Sequence, residues 1–241
     1  MELLISILEQ GFIYAILAFG VYITYTILDF PDLTVDSSFP FGAAVTAVLI
    51  SSGVNPYITL PIAFLAGGIA GMVTGIIHVV FKVRDLLSGI ITMTMLYSVN
   101  LIIAGKANIP IYSSDNIFSI SPLNSFIPEG FQAVALIFVI MLVTKILFDL
   151  YMKTKSGYLL RAVGDNERVV TVLAKNSGTV KIIGLSISNA LVALAGCIMC
   201  QQQRFFDIGM GTGTIVIGLA SVIMGMIICL HLIPPTLIYF H

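Results

Sequence analysis

Residues 182–203 read IIGLSISNALVALAGCIMCQQQ, 22 positions without an Asp, Glu, Lys or Arg. As a helix this run is long enough to cross the hydrocarbon layer of a bilayer, which needs about 20 apolar residues. Gly11–Leu28, Leu86–Ala104 and Ile208–Leu230 are also uncharged over 18 residues or more, and Tyr57–Phe81 is interrupted only by His78. Phe131–Phe148 makes a sixth window, with Lys145 near enough to its end for the amine to reach the headgroups. The whole chain agrees with its windows. Of 241 residues, 58% are hydrophobic and 10% charged, and the mean hydropathy is +1.06. Soluble domains carry about 25% charge, and a net charge of −1 provides no basic field for nucleic acid. The expected fold is all-α: one polytopic transmembrane domain over 1–241, with about seven or eight spanning or half-spanning helices. Membrane segments are expected at 11–28, 39–52, 57–81, 86–104, 131–149, 182–203 and 211–230, in a multi-pass protein of the cell (plasma or inner) membrane.

The opening MELLISILEQ carries Glu2 and Glu9 and no basic residue, the reverse of an export signal's positive start, so no cleavable signal is expected. Cys197, Cys200 and Cys229 lie in apolar windows, where a thiolate is disfavoured, and read as small packing residues rather than a redox pair. The eleven basic residues set the orientation. If 151–181 is cytoplasmic, alternation also places the Lys82–Asp85 turn inside. Nine basic residues then fall on that face, with Lys106 and Arg204 outside, as the positive-inside rule expects. Residues 105–130, which contain Pro110, Pro122 and Pro128, read as an irregular external segment.

Residues 28–53, LDFPDLTVDSSFPFGAAVTAVLISSG, place Asp29, Asp32 and Asp36 beside Pro31 and Pro40. The apolar run that follows, Phe39–Ser51, has 13 residues, roughly 20 Å as a helix and too short to cross unaided. A short, Pro-interrupted piece points to a discontinuous helix, and such breaks are tolerated where backbone is buried in protein or lines an aqueous cavity. Two readings of the carboxylates stand side by side. One is a polar loop at the membrane surface, with Asp36 or Ser37 capping the next helix. The other is a translocation pathway lined by Asp32, Thr34, Asp36 and Ser37. Metal chemistry is the weakest option, because clamping a diphosphate needs two facing Asp-rich clusters and the remaining acids are scattered. No catalytic residues and no metal site are expected.

Gly67, Gly71 and Gly75 share one helix face at four-residue spacing, a ridge suited to close helix packing in lipid. The glycines of IGMGTGTIV (208–216) lack the strand–helix unit and the acidic residue of a dinucleotide site, and read as a tight turn entering a helix.

The polar stretch 157–183, GYLLRAVGDNERVVTVLAKNSGTVKII, lies between two spanning windows. Asp165 or Asn166 suits the start of a short helix, with Glu167 in its first turn. Val169, Val172 and Leu173 then form one apolar stripe, and Asn176-Ser177-Gly178 reads as the stop. The segment 158–178 is thus read as a docking element for another protein, with an interfacial helix lying on anionic lipid as the alternative.

The run 161–196, RAVGDNERVVTVLAKNSGTVKIIGLSISNALVALAG, resembles the cytoplasmic coupling region and following helix of permeases in the branched-chain amino acid/ribose group of ABC importers, amino-acid members for tryptophan or other aromatic solutes most of all. ILDFPDLTVDSSFPFGAA, DLLSGIITMTMLYSVNLIIAGKANIP and FFDIGMGTGTIVIGLASVIMG agree, in order, from about residue 11 to residue 225. The resemblance implies eight to ten spanning helices and a short cytoplasmic coupling helix. It implies a second permease copy or paralogue, two cytoplasmic ATP-binding subunits and an extracellular solute-binding protein. Arg161, Ala162, Gly164, Asn166 and Glu167 match the coupling segment; Asp32, Leu33, Thr34, Val35 and Asp36 match the broken segment beside the pathway. The expected function is a non-enzymatic importer subunit for a small polar solute, an amino acid or related compound. The chain contains no G-x-x-x-x-G-K-[ST] loop, so the resemblance assigns ATP to a partner subunit and no cofactor to this chain. Two departures stand out. Ala174-Lys175 replaces the usual Gly-Val or Gly-Ile, and the tail MIICLHLIPPTLIYFH differs from the family's further helices, as in a truncated or frame-shifted product without activity. An ion-coupled secondary transporter or channel is the rival reading, although His78 is the one ionisable residue within a spanning window that suits it.

Overall fold

The structure is a computed structural model that describes residues 2–120, 131–166, 170 and 176–232. Helix α1 (Glu2–Tyr22) continues through a π-helical turn, Ile23–Ile27. After a short connection come α2 (Val35–Ser51), α3 (Pro56–Val79) and α4 (Asp85–Ala104). Strand β1 (Asn108–Pro110), α5 (Gln132–Met152), α6 (Lys155–Asp165) and α7 (Ser177–Gln203) follow. The described part closes with strand β2 (Phe205–Asp207), a 3-10 turn (Ile208–Gly211) and α8 (Thr214–Leu232). Six of the described helical segments are long and apolar enough to cross a membrane. The molecule is a polytopic helical membrane protein.

Helix α7 is the centre. Of its apolar window 72% is buried inside the chain, against 17–33% for the other five spans. Its neighbours reach it through glycines. A Cβ built on Gly71 of α3 would stand 2.1 Å from the Leu185 carbonyl oxygen. One on Gly42 of α2 would stand 1.9 Å from that of Ala193, and one on Gly196 would stand 1.9 Å from that of Phe39. Gly67, Gly71 and Gly75 all face α7 of the same chain. Hydroxyls reinforce these seams: Ser188 donates to the Gly20 carbonyl at 2.8 Å and Ser186 to that of Gly68 at 2.7 Å. Helices α5 and α8 flank α1, and α4 lies on α2 and α3.

The bundle has two distinct ends. At one, the last turns of α1 and α3 meet α6 and the start of α7, with Gly164 against Ile27 and Gly178 against Val79. At the other, β1 and β2 pair antiparallel, Asn108↔Asp207 to Pro110↔Phe205, tying the exit of α4 to the exit of α7. Strand β1 lies within the stretch 105–130 that the sequence presents as irregular. The ribbon's strands are three residues long, too short for alternation to reveal.

Three helix boundaries differ from the expected ones. Helix α2 begins at Val35, not Phe39, because its polar first turn is satisfied by other helices rather than by water. Lys155–Asp165 is itself a helix, capped by the Thr154 hydroxyl accepting from the Gly157 N–H and ending at Asn166; the short helix expected to start at Asp165 or Asn166 lies outside the described residues. Helix α7 begins at Ser177, five residues before the uncharged window, since the Asn176 side chain accepts from the N–H groups of Gly178 and Thr179. Glu167, Val169, Val172 and Leu173 lie outside the described residues.

Candidate functional site

The break between α1 and α2 sits deep in the bundle. Asp29 has a left-handed backbone (φ 51°) and is exposed, whereas Asp32 is only 2% exposed. The Asp32 carboxylate accepts from the Thr34 N–H at 2.9 Å and from the Asn189 amide at 2.7 Å. Asn189 in turn accepts from the Ser38 hydroxyl at 2.7 Å. The Thr34 and Thr74 hydroxyls share a hydrogen bond of 3.0 Å. This buried polar chain joins α2, α3 and α7. Asn189 stands twelve residues from Ser177 and fourteen from Gln203, roughly 18 and 21 Å along the axis. The break is therefore near mid-depth.

Helix α8 also begins there. Gly218 lies against Leu17 and Val21 of α1, and Leu17 is ten residues, roughly 15 Å, short of Ile27. The Asp36 carboxylate accepts from the Ile215 N–H at 2.8 Å, the Thr214 hydroxyl at 3.0 Å and the Gly213 N–H at 3.2 Å. It thus caps α8 from α2. Two helices start at one depth and depart in opposite directions, α2 toward the ribbon and α8 toward α6. Their N-terminal ends each carry about half a positive charge, and Asp36 lies between them. Asp36, read from sequence either as a surface cap for the next helix or as a pathway residue, is half-buried and caps a helix 178 residues further on.

Thr34 and Ser37 are buried too; the Ser37 hydroxyl donates to the Met93 carbonyl at 2.9 Å. Asp32, Thr34, Asp36 and Ser37 are therefore brought together around the break, with three of the four turned into the chain's own packing. Asn189, Ser38, Thr74 and Asn100 belong to the same cluster and were not singled out from sequence. Asn100 donates to the Ser37 carbonyl at 3.2 Å, while its own side-chain oxygen is buried without a partner among the described residues. A lone amide in the middle of an uncharged window is the signal that marks Asn189 and Asn100.

The second site is α6. Leu160 and Val163 are buried against the end of α1 and the start of α7, and Gly164 packs on the Ile27 carbonyl so closely that no Cβ fits. Tyr158, Arg161, Ala162, Asp165 and Asn166 face outward. Of the residues matched to a coupling segment, Gly164 holds the helix onto the bundle, while Arg161, Ala162, Asp165 and Asn166 are displayed. Lys82, Arg84, Lys153, Lys155, Arg161 and Lys181 surround this end, whereas Lys106 and Arg204 lie at the ribbon end.

The sequence pattern of the permease component of the branched-chain amino acid transport system matches residues 3–239. The chain belongs to this permease family. It is 47% identical over 225 residues to a tyrosine transport system permease protein of Clostridioides difficile, covering 92% of this chain and 72% of that one. Ribose import permease protein RbsC of Haemophilus influenzae is 24% identical, covering 92% and 68%. The probable branched-chain amino acid transport permease protein LivH of Methanocaldococcus jannaschii is 26% identical, covering 88% and 70%. No solved structure matches. The protein is an importer permease subunit, a multi-pass transport component rather than a catalyst.

Proposed function

We propose that this permease passes an aromatic amino acid across the membrane, powered by separate ATP-binding subunits that dock on α6 and fed by an extracellular solute-binding protein. The observation that carries the transport reading is the pair of helices starting at mid-depth around Asp36, since backbone breaks at that depth accompany solute routes. The 47% identity to a tyrosine transport permease supports the solute class. The basic residues around α6 support a cytoplasmic placement of that end. The displayed side chains of Arg161, Ala162, Asp165 and Asn166 supply the contact face, continued by Glu167, Val169, Val172 and Leu173. A second permease copy or paralogue completes the route. Asp32, Thr34, Asp36 and Ser37 hold the break beside it, and rocking of the bundle about that break follows closure of the ATPases.

Co-expression with the products of the neighbouring genes tests this directly. An ATPase chain co-purifies with the wild type, and Arg161→Glu or Val172→Asp reduces its recovery at least tenfold without lowering membrane yield. Uptake of radiolabelled tyrosine requires ATP. Uptake that persists without any ATPase chain overturns the reading.

A further inference from the structure

On the ribbon side of the break lies a cavity of about 310 Å³, near the lower end of the roughly 300–1,000 Å³ typical of small-molecule sites. Tyr14, Phe39, Gln203, Phe205, Asp207 and Met210 contribute to its walls. The Tyr14 and Phe39 rings are nearly parallel, with 9° between their planes and centroids 6.5 Å apart. Met210 is followed directly by Gly211, which rests on the Asp36 carbonyl and the Pro40 ring. The cavity therefore stands immediately before the point where α2 and α8 part.

Its polar side chains are few, and one of them is charged. The half-buried Asp207 carboxylate accepts from the Gly209 N–H at 2.8 Å and the Asn108 amide at 3.4 Å, and among the described residues no cation pairs with it. The Gln203 amide and the Tyr14 hydroxyl make no side-chain hydrogen bond among the described residues. A sugar needs several hydrogen-bonding partners around its rim, whereas a flat ring with an ammonium group needs aromatic walls and one carboxylate.

We propose that this cavity is the permease's own specificity site, holding an aromatic amino acid with its ring along Tyr14, Phe39 and Phe205 and its ammonium on Asp207. This rests on the aromatic-solute reading above, and adds a filter in the membrane subunit itself. Equilibrium binding of radiolabelled tyrosine to the full chain in lipid nanodiscs tests it. Tyrosine binds saturably, and tyramine, which keeps the ring and ammonium, competes. 3-(4-Hydroxyphenyl)propionate, which lacks the ammonium, competes at least about tenfold less well, the scale of a lost charge-assisted hydrogen bond. Asp207→Asn preserves the acceptor for the Gly209 N–H, so folding is kept, and it erases the discrimination between tyrosine and the propionate. Phe205→Ala weakens binding of all three. Ribose competing as well as tyramine, or Asp207→Asn leaving the discrimination intact, overturns the inference. So does an absence of saturable tyrosine binding in a chain whose complex takes tyrosine up, and that result leaves the proposed function standing. Failure of the complex to take up any aromatic amino acid removes the solute reading and this site together.

Discussion

Asp36 shows how one side chain organises a region it does not adjoin in sequence. It lies within the first turn of its own helix and accepts three hydrogen bonds from the first turn of α8. Its character as a carboxylate beside a break is legible from spacing and Pro40. Its partner is not, because no local pattern specifies a contact across 178 positions. Asp36→Ala should lower stability by about 1–2 kcal/mol, the usual worth of an N-cap, read as a fall in the melting temperature of purified protein. Asp36→Asn retains the acceptor and should lose much less; equal losses would mean that charge, and not capping, dominates. Asn189 makes the complementary case. Asn189→Leu deprives Asp32 of a donor and Ser38 of an acceptor within a buried cluster, and should cost about 1–3 kcal/mol per orphaned group. A stability within error of wild type would show that this network relaxes around the change.

At the scale of elements, spanning helices are legible because a charge-free window is its own signal. The first turn of α2 and the helix α6 are not, for a reason specific to this setting. The first turn of α2, Val35-Asp36-Ser37-Ser38-Phe39, has the composition of a surface loop, yet each polar group finds its partner on another helix. In α6, Gly157 and Gly164 look like helix breakers, whereas both are places where the helix touches backbone: Gly157 meets Met152 and Gly164 meets Ile27. The glycines of α3 permit a sharper experiment. Gly71→Leu drives a side chain into the Leu185 carbonyl and should abolish recovery of folded protein. Gly225→Ala, with nothing within 4 Å, should be neutral or slightly stabilising, since alanine is favoured over glycine in a helix by about 1 kcal/mol. Similar yields for the two variants would mean that α3 and α7 are not packed this closely.

For the whole molecule, the positive-inside count and the clustering of basic residues around α6 make one prediction about sidedness. With the native cysteines replaced by alanine, Tyr158→Cys should react with a membrane-impermeant maleimide only after the inner face is opened, and Tyr112→Cys should react in intact cells. The opposite pattern would invert the molecule. At Gly164 main chain rests on main chain without an intervening side chain. Flexible rotamers normally act as shock absorbers between moving parts. At that one point there is no such cushioning, so a displacement of α6 would bear directly on the π-turn backbone, while Leu160 and Val163 grip the bundle through their side chains.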